Sequence, residues 1–367
     1  MALCNRLVAF SCALVLAGTA VASPPTYEFV PLNQAGISYS RAWEINDLRQ
    51  VALEAGTGVG GTIGFRWASG VFQPLPTIVP SGSNARATVR SINNLGFIVG
   101  NSYGPGGLLD QRGVRWAPDN SLTDLGRYNN SNTFFDDINE AGVIVGDSNR
   151  AFRYEPGTGY VELAALSGST SANASAINEN DWVAGSSSAE ISPGLNQTRG
   201  TVWKPDGTLI NLGILDIPGQ DDTTSVAFGV NDNNEVVGYF GNPTAFSHAF
   251  YWNEVSGIVD LGAPGGRSSF ANDINNSGDI VGYASFATGP LQRAYLWRGG
   301  VAYDLNQFLP PGSGWQLNEA YGINELGDIV GRGTLGGQTQ AFLLRIPEPA
   351  TGMLLAMAGA LILIRRW

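Results

Sequence analysis

The sequence is poor in the side chains that carry most enzyme chemistry. It has two cysteines and one histidine in 367 residues, and both cysteines, Cys4 and Cys12, fall within the first 22 positions. Once that segment is removed the chain has no thiol, which excludes disulfides, thiolate metal sites and cysteine nucleophiles. The lone His248 stands beside Phe250 and Trp252 in an alternating apolar stretch, the setting of a structural imidazole rather than a general base. No GxSxG, HExxH or phosphate-binding loop occurs. Charged residues make up only 14%, and acids outnumber bases to give a net charge of -11. Arg6, Arg365 and Arg366 lie in the terminal segments, so the acidity resides in the body between them. Such a surface repels nucleic acid and anionic headgroups.

What the chain has in abundance is glycine, 49 residues, and a repeated phrase. EINDLRQVAL from Glu44 is followed by SINNLGFIVG from Ser91, DINEAGVIVG from Asp137, AINENDWVAG from Ala176, GVNDNNEVVG from Gly229, DINNSGDIVG from Asp273 and GINELGDIVG from Gly322. Steps between copies are 47, 46, 39, 53, 44 and 49 residues, the period of propeller blades rather than of leucine-rich repeats. In each copy, Asn and a short polar stretch read as a tight turn, because Asn and Gly tolerate the positive φ that such turns need. IVG or a variant follows as a β-branched strand. A second signature (GFRW, GVRW, AFRY, GTVW, AFYW, AYLW, AFLL) alternates as a half-buried strand does. A third (LTDLG, VELA, LINLG, VDLG, AYDL) closes most units. With the segment leading into each Asn, every unit offers four strands. The seventh unit lacks its closing strand, and YEFVPL, Tyr27 to Leu32, precedes the first unit unpaired. The expectation is an all-β, seven-bladed β-propeller over residues 23–346, with an N-terminal strand closing the last blade and removing exposed edges.

The ends read differently. Residues 1–22 combine Arg6, an apolar run from Leu7 to Leu16 and small residues ahead of Ser23. That is the pattern of a secretory signal peptide cleaved between Ala22 and Ser23. Residues 347–367 carry Pro347, Glu348 and Pro349, an apolar stretch to Ile364, then Arg365 and Arg366. A short hydrophobic helix of roughly 15 residues at ~1.5 Å each reaches about 22 Å, less than a bilayer core of ~30 Å. It would hold the chain at a membrane only transiently. This order resembles the PEP-CTERM sorting signal of Gram-negative bacteria. The resemblance implies exosortase-type sorting machinery as a partner, with Pro347, Glu348, Pro349, Arg365 and Arg366 as the signal. His248, Ala249 and Phe250, with the Asn turn and the aromatic strand, resemble the HAF repeat of bacterial extracellular proteins, which implies a location more than an activity.

The expected function is that of an exported, non-enzymatic scaffold or binding module at the cell envelope or in the extracellular matrix, monomeric, with exopolysaccharide as its partner and no cofactor. Variable loops sit on the face opposite the Asn turns, the usual place for binding. The candidate ligand contacts there are Tyr103, Tyr128, Phe135 and Trp315, with Phe134 nearby. Two alternatives stay open: a glycan-cleaving propeller using paired acids, Asp136 with Asp137 or Asp221 with Asp222, and a calcium-stabilised adhesin using the oxygen-rich turns Asn178–Asp181 and Asn231–Glu235.

Overall fold

The computed structural model describes residues 25–348, apart from 34–36, 57–60, 83–84, 168, 170, 193–194, 216–223, 243–245 and 287–291. The signal peptide with Ala22 and Ser23, the acids Asp221 and Asp222, and the tail from Pro349 through Arg365 and Arg366 lie outside these residues. Among the described residues no helix is long and apolar enough to cross a membrane.

Seven antiparallel four-stranded sheets form the body. Blade 1 is built in meander order from β2 (Tyr39–Ile45), β3 (Val51–Gly56), β4 (Thr62–Ala68) and β5 (Val71–Pro74). Blades 2 to 6 repeat this order with β6–β9, β10–β13, β14–β17, β18–β21 and β22–β25, spanning Ala87 to Asp304. In blade 7, β26 (Trp315–Ile323), β27 (Ile329–Leu335) and β28 (Gln338–Arg345) are completed by β1 (Glu28–Leu32). The expected closure is present, and its register runs from Glu28 opposite Arg345 to Leu32 opposite Ala341. Leu32 is 1% exposed in a core shared with blade 1, and Phe29 meets the ring of Trp315 edge-on at 5.2 Å.

Each blade buries both faces against its neighbours. The alternating strands therefore contribute cores such as Val236, Phe240, Phe250 and Trp252 against Ala184 and Val202 of the preceding blade. The first strand of every blade lies innermost. Glu44 on β2, Asp137 on β10 (Phe134–Ile138) and Asp273 on β22 (Gly266–Ile274) line one cavity, so these three strands face a common axis.

The glycine of IVG has a geometric cause. Every inner strand carries a bulge, an extra residue such as Phe228 between Ala227 and Gly229. The bulge brings the inner strand's backbone against the next strand. A Cβ on Gly238 would lie 2.0 Å from the Val226 carbonyl oxygen, and one on Gly282 would lie 1.9 Å from that of Phe270. Only glycine fits there. In blade 1 the position is held by Leu53, paired with Ala42, and nothing in the structure explains that exception.

Candidate functional site

The repeated asparagines close a ring around the axis. Each donates its side-chain N–H to the main-chain carbonyl of the Asn in the next blade: Asn46 to Asn93, then Asn139, Asn178, Asn231, Asn275, Asn324 and back to Asn46, at 2.7 to 3.3 Å. Its Oδ1 meanwhile accepts the main-chain N–H four residues on, at 2.8 to 3.0 Å, which shapes the turn. A second ring surrounds the first. The N–H of the residue after each Asn donates to the side chain of the equivalent residue in the next blade, through Asn94, Glu140, Glu179, Asp232, Asn276, Glu325 and Asp47, at 2.6 to 3.0 Å. The oxygen-rich turns considered for calcium are thus already engaged in holding blade to blade. Among the described residues no group of three His, Cys, Asp or Glu side chains is placed to hold a metal ion.

Just inside these rings a small cavity, about 170 Å³, is lined by Glu44, Ser91, Asp137 and Asp273. Asp137 accepts from Ile138 N–H, from Ile177 N–H of the next blade at 2.8 Å, and from Ser91 Oγ at 2.6 Å. Asp273 accepts from Ile274 N–H and, at 2.9 Å, from Ile323 N–H. Both join neighbouring blades. Burial pushes the Asp273 carboxyl up to about 7, against the main-chain N–H groups that pull it down. Burial also raises Glu44, with further help from Asp273 and Asp137.

On the other side of Glu44, away from the Asn turns, lies a second and larger cavity, the funnel, of about 350 Å³. Its wall is the set of seven bulge residues, three positions before each Asn: Trp43, Arg90, Asp136, Ser175, Phe228, Asn272 and Tyr321. A bulge redirects the extra side chain, and here every blade aims one into the funnel. Arg90 lies 4.3 Å from the Trp43 ring and Arg41 4.7 Å from it, while Tyr321 meets Trp43 at 4.8 Å. Behind Phe228 runs an aromatic series, Tyr239, Phe270 and Tyr283, at 5.7, 4.9 and 4.8 Å between successive rings. The Trp43 indole N–H has no hydrogen-bond partner among the described residues. Asp136 is held up to about 7 by burial, opposed by Arg90 at 3.8 Å and reinforced by Asp147 and Asp137. A quarter of its side chain is accessible, but it opens onto the channel interior rather than bulk water.

The sequence-derived candidates lie elsewhere. Phe135 is not on a loop: it is on β10 (Phe134–Ile138), wholly buried against Phe152. Tyr128 begins a short 3-10 turn, Tyr128–Asn130, and is 9% exposed with its hydroxyl donating to Glu162. Both serve the core of blade 3, because a flat ring beside a glycine-lined strand gains more from burial than from water. Tyr103 ends β7, under the Arg86 guanidinium. Trp315 starts β26 and packs on Phe29. None of the four lines the funnel. Asp136 and Asp137 are strand residues of the channel, not solvated loop acids. SSSAEISPGLNQTR, whose Ser, Gly, Pro and Asn content is that of a variable loop, instead continues β15 (Val183–Ser192) and β16 (Leu195–Trp203) as a long hairpin. Pro347 and Glu348 rest on the Asn-turn face, where Arg49 bonds the Ile346 carbonyl at 3.1 Å and pairs with Glu348 at 2.7 Å.

A family described as a protein of unknown function (DUF3466) matches residues 164–343. No curated protein matches the chain by sequence. Among solved structures it is similar to virginiamycin B lyase from Staphylococcus aureus, with 12% identity, 88% of this chain and 99% of that one covered, and a TM-score of 0.52. Puromycin hydrolase (12% identity, 85% and 53% covered, TM-score 0.49) and the WD40 β-propeller domain of Doa1 (13% identity, 89% and 98% covered, TM-score 0.46) also align. At such identities the likeness to the lyase is one of fold, and it agrees with the propeller architecture.

Proposed function

We propose that the protein is an exported, non-enzymatic binding module, sorted through its C-terminal PEP-CTERM-like segment and retained at the cell envelope or in the matrix, where its funnel holds an extracellular polysaccharide. One observation carries the binding reading. Across the seven repeats the Asn is invariant, the residue before it is Ile or Val and the residue after it is Asp, Asn or Glu, yet the bulge position, which lines the channel, holds seven different side chains: Trp, Arg, Asp, Ser, Phe, Asn and Tyr. Repetition alone would close the ring, so a wall built of seven unlike side chains is what a specific occupant calls for. Aromatic walls beside amide, hydroxyl, carboxyl and guanidinium groups suit a sugar, which offers apolar C–H faces and many hydroxyls. The test is an array of neutral and acidic glycans probed with the exported chain and with Trp43→Ala and Tyr321→Ala. Binding that falls at least tenfold in both variants while melting stays cooperative supports the assignment; binding unchanged in both refutes it.

A second reading, glycan hydrolysis, rests on two carboxyl groups, Asp136 and Glu44, in one cavity, the pair that glycoside cleavage uses; burial favours the protonated form of both, so one of them must ionise for the reaction to run. Products that appear on incubation with a bound glycan and vanish in Asp136→Asn would establish it in place of simple binding.

A further inference from the structure

A side cavity of about 250 Å³ opens at the seam of blades 3 and 4. Its wall includes Asp147, Ser171, Asn173, Ser186, Ser188 and Thr198. Asn173 also lines the funnel, so the two spaces meet at this side chain. Its amide N–H donates to Asp147 at 2.6 Å and its Oδ1 accepts from Ser175 Oγ at 3.1 Å, which fixes the threshold between them.

The cavity arises from a mismatch in hairpin length. In blade 3 the second and third strands, β11 (Ile144–Asp147) and β12 (Ala151–Glu155), have 4 and 5 residues; in blade 4, β15 and β16 have 10 and 9. The longer hairpin outreaches its neighbour, and the half-buried Ser186, Ser188 and Thr198 belong to it. Hydroxyls and the amides of Asn149 and Asn173 line this recess, with Asp147 as its charged group and no lysine or arginine among its lining residues. Such a wall both donates and accepts hydrogen bonds and disfavours an anion.

We propose that the funnel's ligand is a neutral oligosaccharide bound lengthwise, its terminal residue in the funnel and the following residues leaving over Asn173 into the seam of blades 3 and 4. This rests on the reading of the funnel as a sugar site and adds chain length and direction. A monosaccharide fills one space; a trimer spans both. The experiment titrates the exported chain with glucose and with malto-, cello- and laminari-oligosaccharides of two to five units, alongside the same length series on an array of neutral and acidic glycans. Wild-type protein should bind a trimer at least tenfold more tightly than the monosaccharide of the same series. Ser171→Trp, at an exposed position on the recess wall, should remove that gain and leave monosaccharide binding unchanged, with Ser188→Trp as a second obstruction should the first variant melt early. Affinity independent of length, or a gain that survives both tryptophans, overturns the lengthwise arrangement and leaves the funnel site standing. Binding of no member, or of anionic members only, overturns the neutral-sugar reading and this inference with it.

Discussion

At each asparagine of the ring the amide works twice, its oxygen shaping a turn and its N–H reaching the next blade. Asn231→Ala would leave the Glu235 N–H without its partner and take from the Asn275 carbonyl one of its two hydrogen bonds, the other coming from Gly278 N–H. Unmade hydrogen bonds of this kind cost about 1–3 kcal/mol each, so the melting temperature should fall by several degrees. Carboxyls inside the ring make stability depend on pH. Asp136 and Asp273 keep a proton up to about 7 in the folded chain, whereas an ordinary aspartate loses it near 3.8. Between those values the folded state binds more protons than the unfolded one, so stability falls as pH rises, by at most about 1.4 kcal/mol per pH unit for each group. Thermal melts at pH 5, 6, 7 and 8 should show a declining midpoint, and Asp136→Asn should flatten the decline.

Strand pairing shows which parts of this fold could be read from residue order. Turn chemistry and period-two alternation are local, so the Asn turns, the aromatic strands and the absent closing strand of the seventh unit were all legible. The long hairpin of blade 4 was not. Ser, Gly, Pro and Asn dominate SSSAEISPGLNQTR, as they do in loops, but main-chain pairing carries on from Ser188 opposite Thr198 to Glu190 opposite Asn196. The funnel residues were hidden for another reason. Trp43, Phe228 and Tyr321 sit at bulges, and a bulge changes side-chain direction without changing composition. Comparing the seven copies column by column three places before Asn would have exposed them. IVG was legible as a strand, though not the reason for its glycine. Gly282→Ala forces a methyl against the Phe270 carbonyl, and a strained site of this sort should lower the unfolding free energy by about 2–3 kcal/mol, read from the urea midpoint.

For the whole molecule, closure is the decisive contact. Deleting residues 28–32 removes the burial of Leu32, the Phe29 contact with Trp315 and the ion pair of Glu28 with Arg345, and bares the edge of β28. Apolar side chains of this size contribute about 1.5–3 kcal/mol each when fully buried, and open edges recruit other chains. Calorimetry should show an earlier, broader transition, and sedimentation a shift toward dimers or larger species. An equally stable monomer would mean that the ring holds without its final strand. The grip of Arg49 on Ile346 and Glu348 also sets a direction: at Glu348 the chain rests on the face of the clasped turns, on the far side of the body from the funnel. Anything that held the protein at that residue would leave the funnel turned away from its holder.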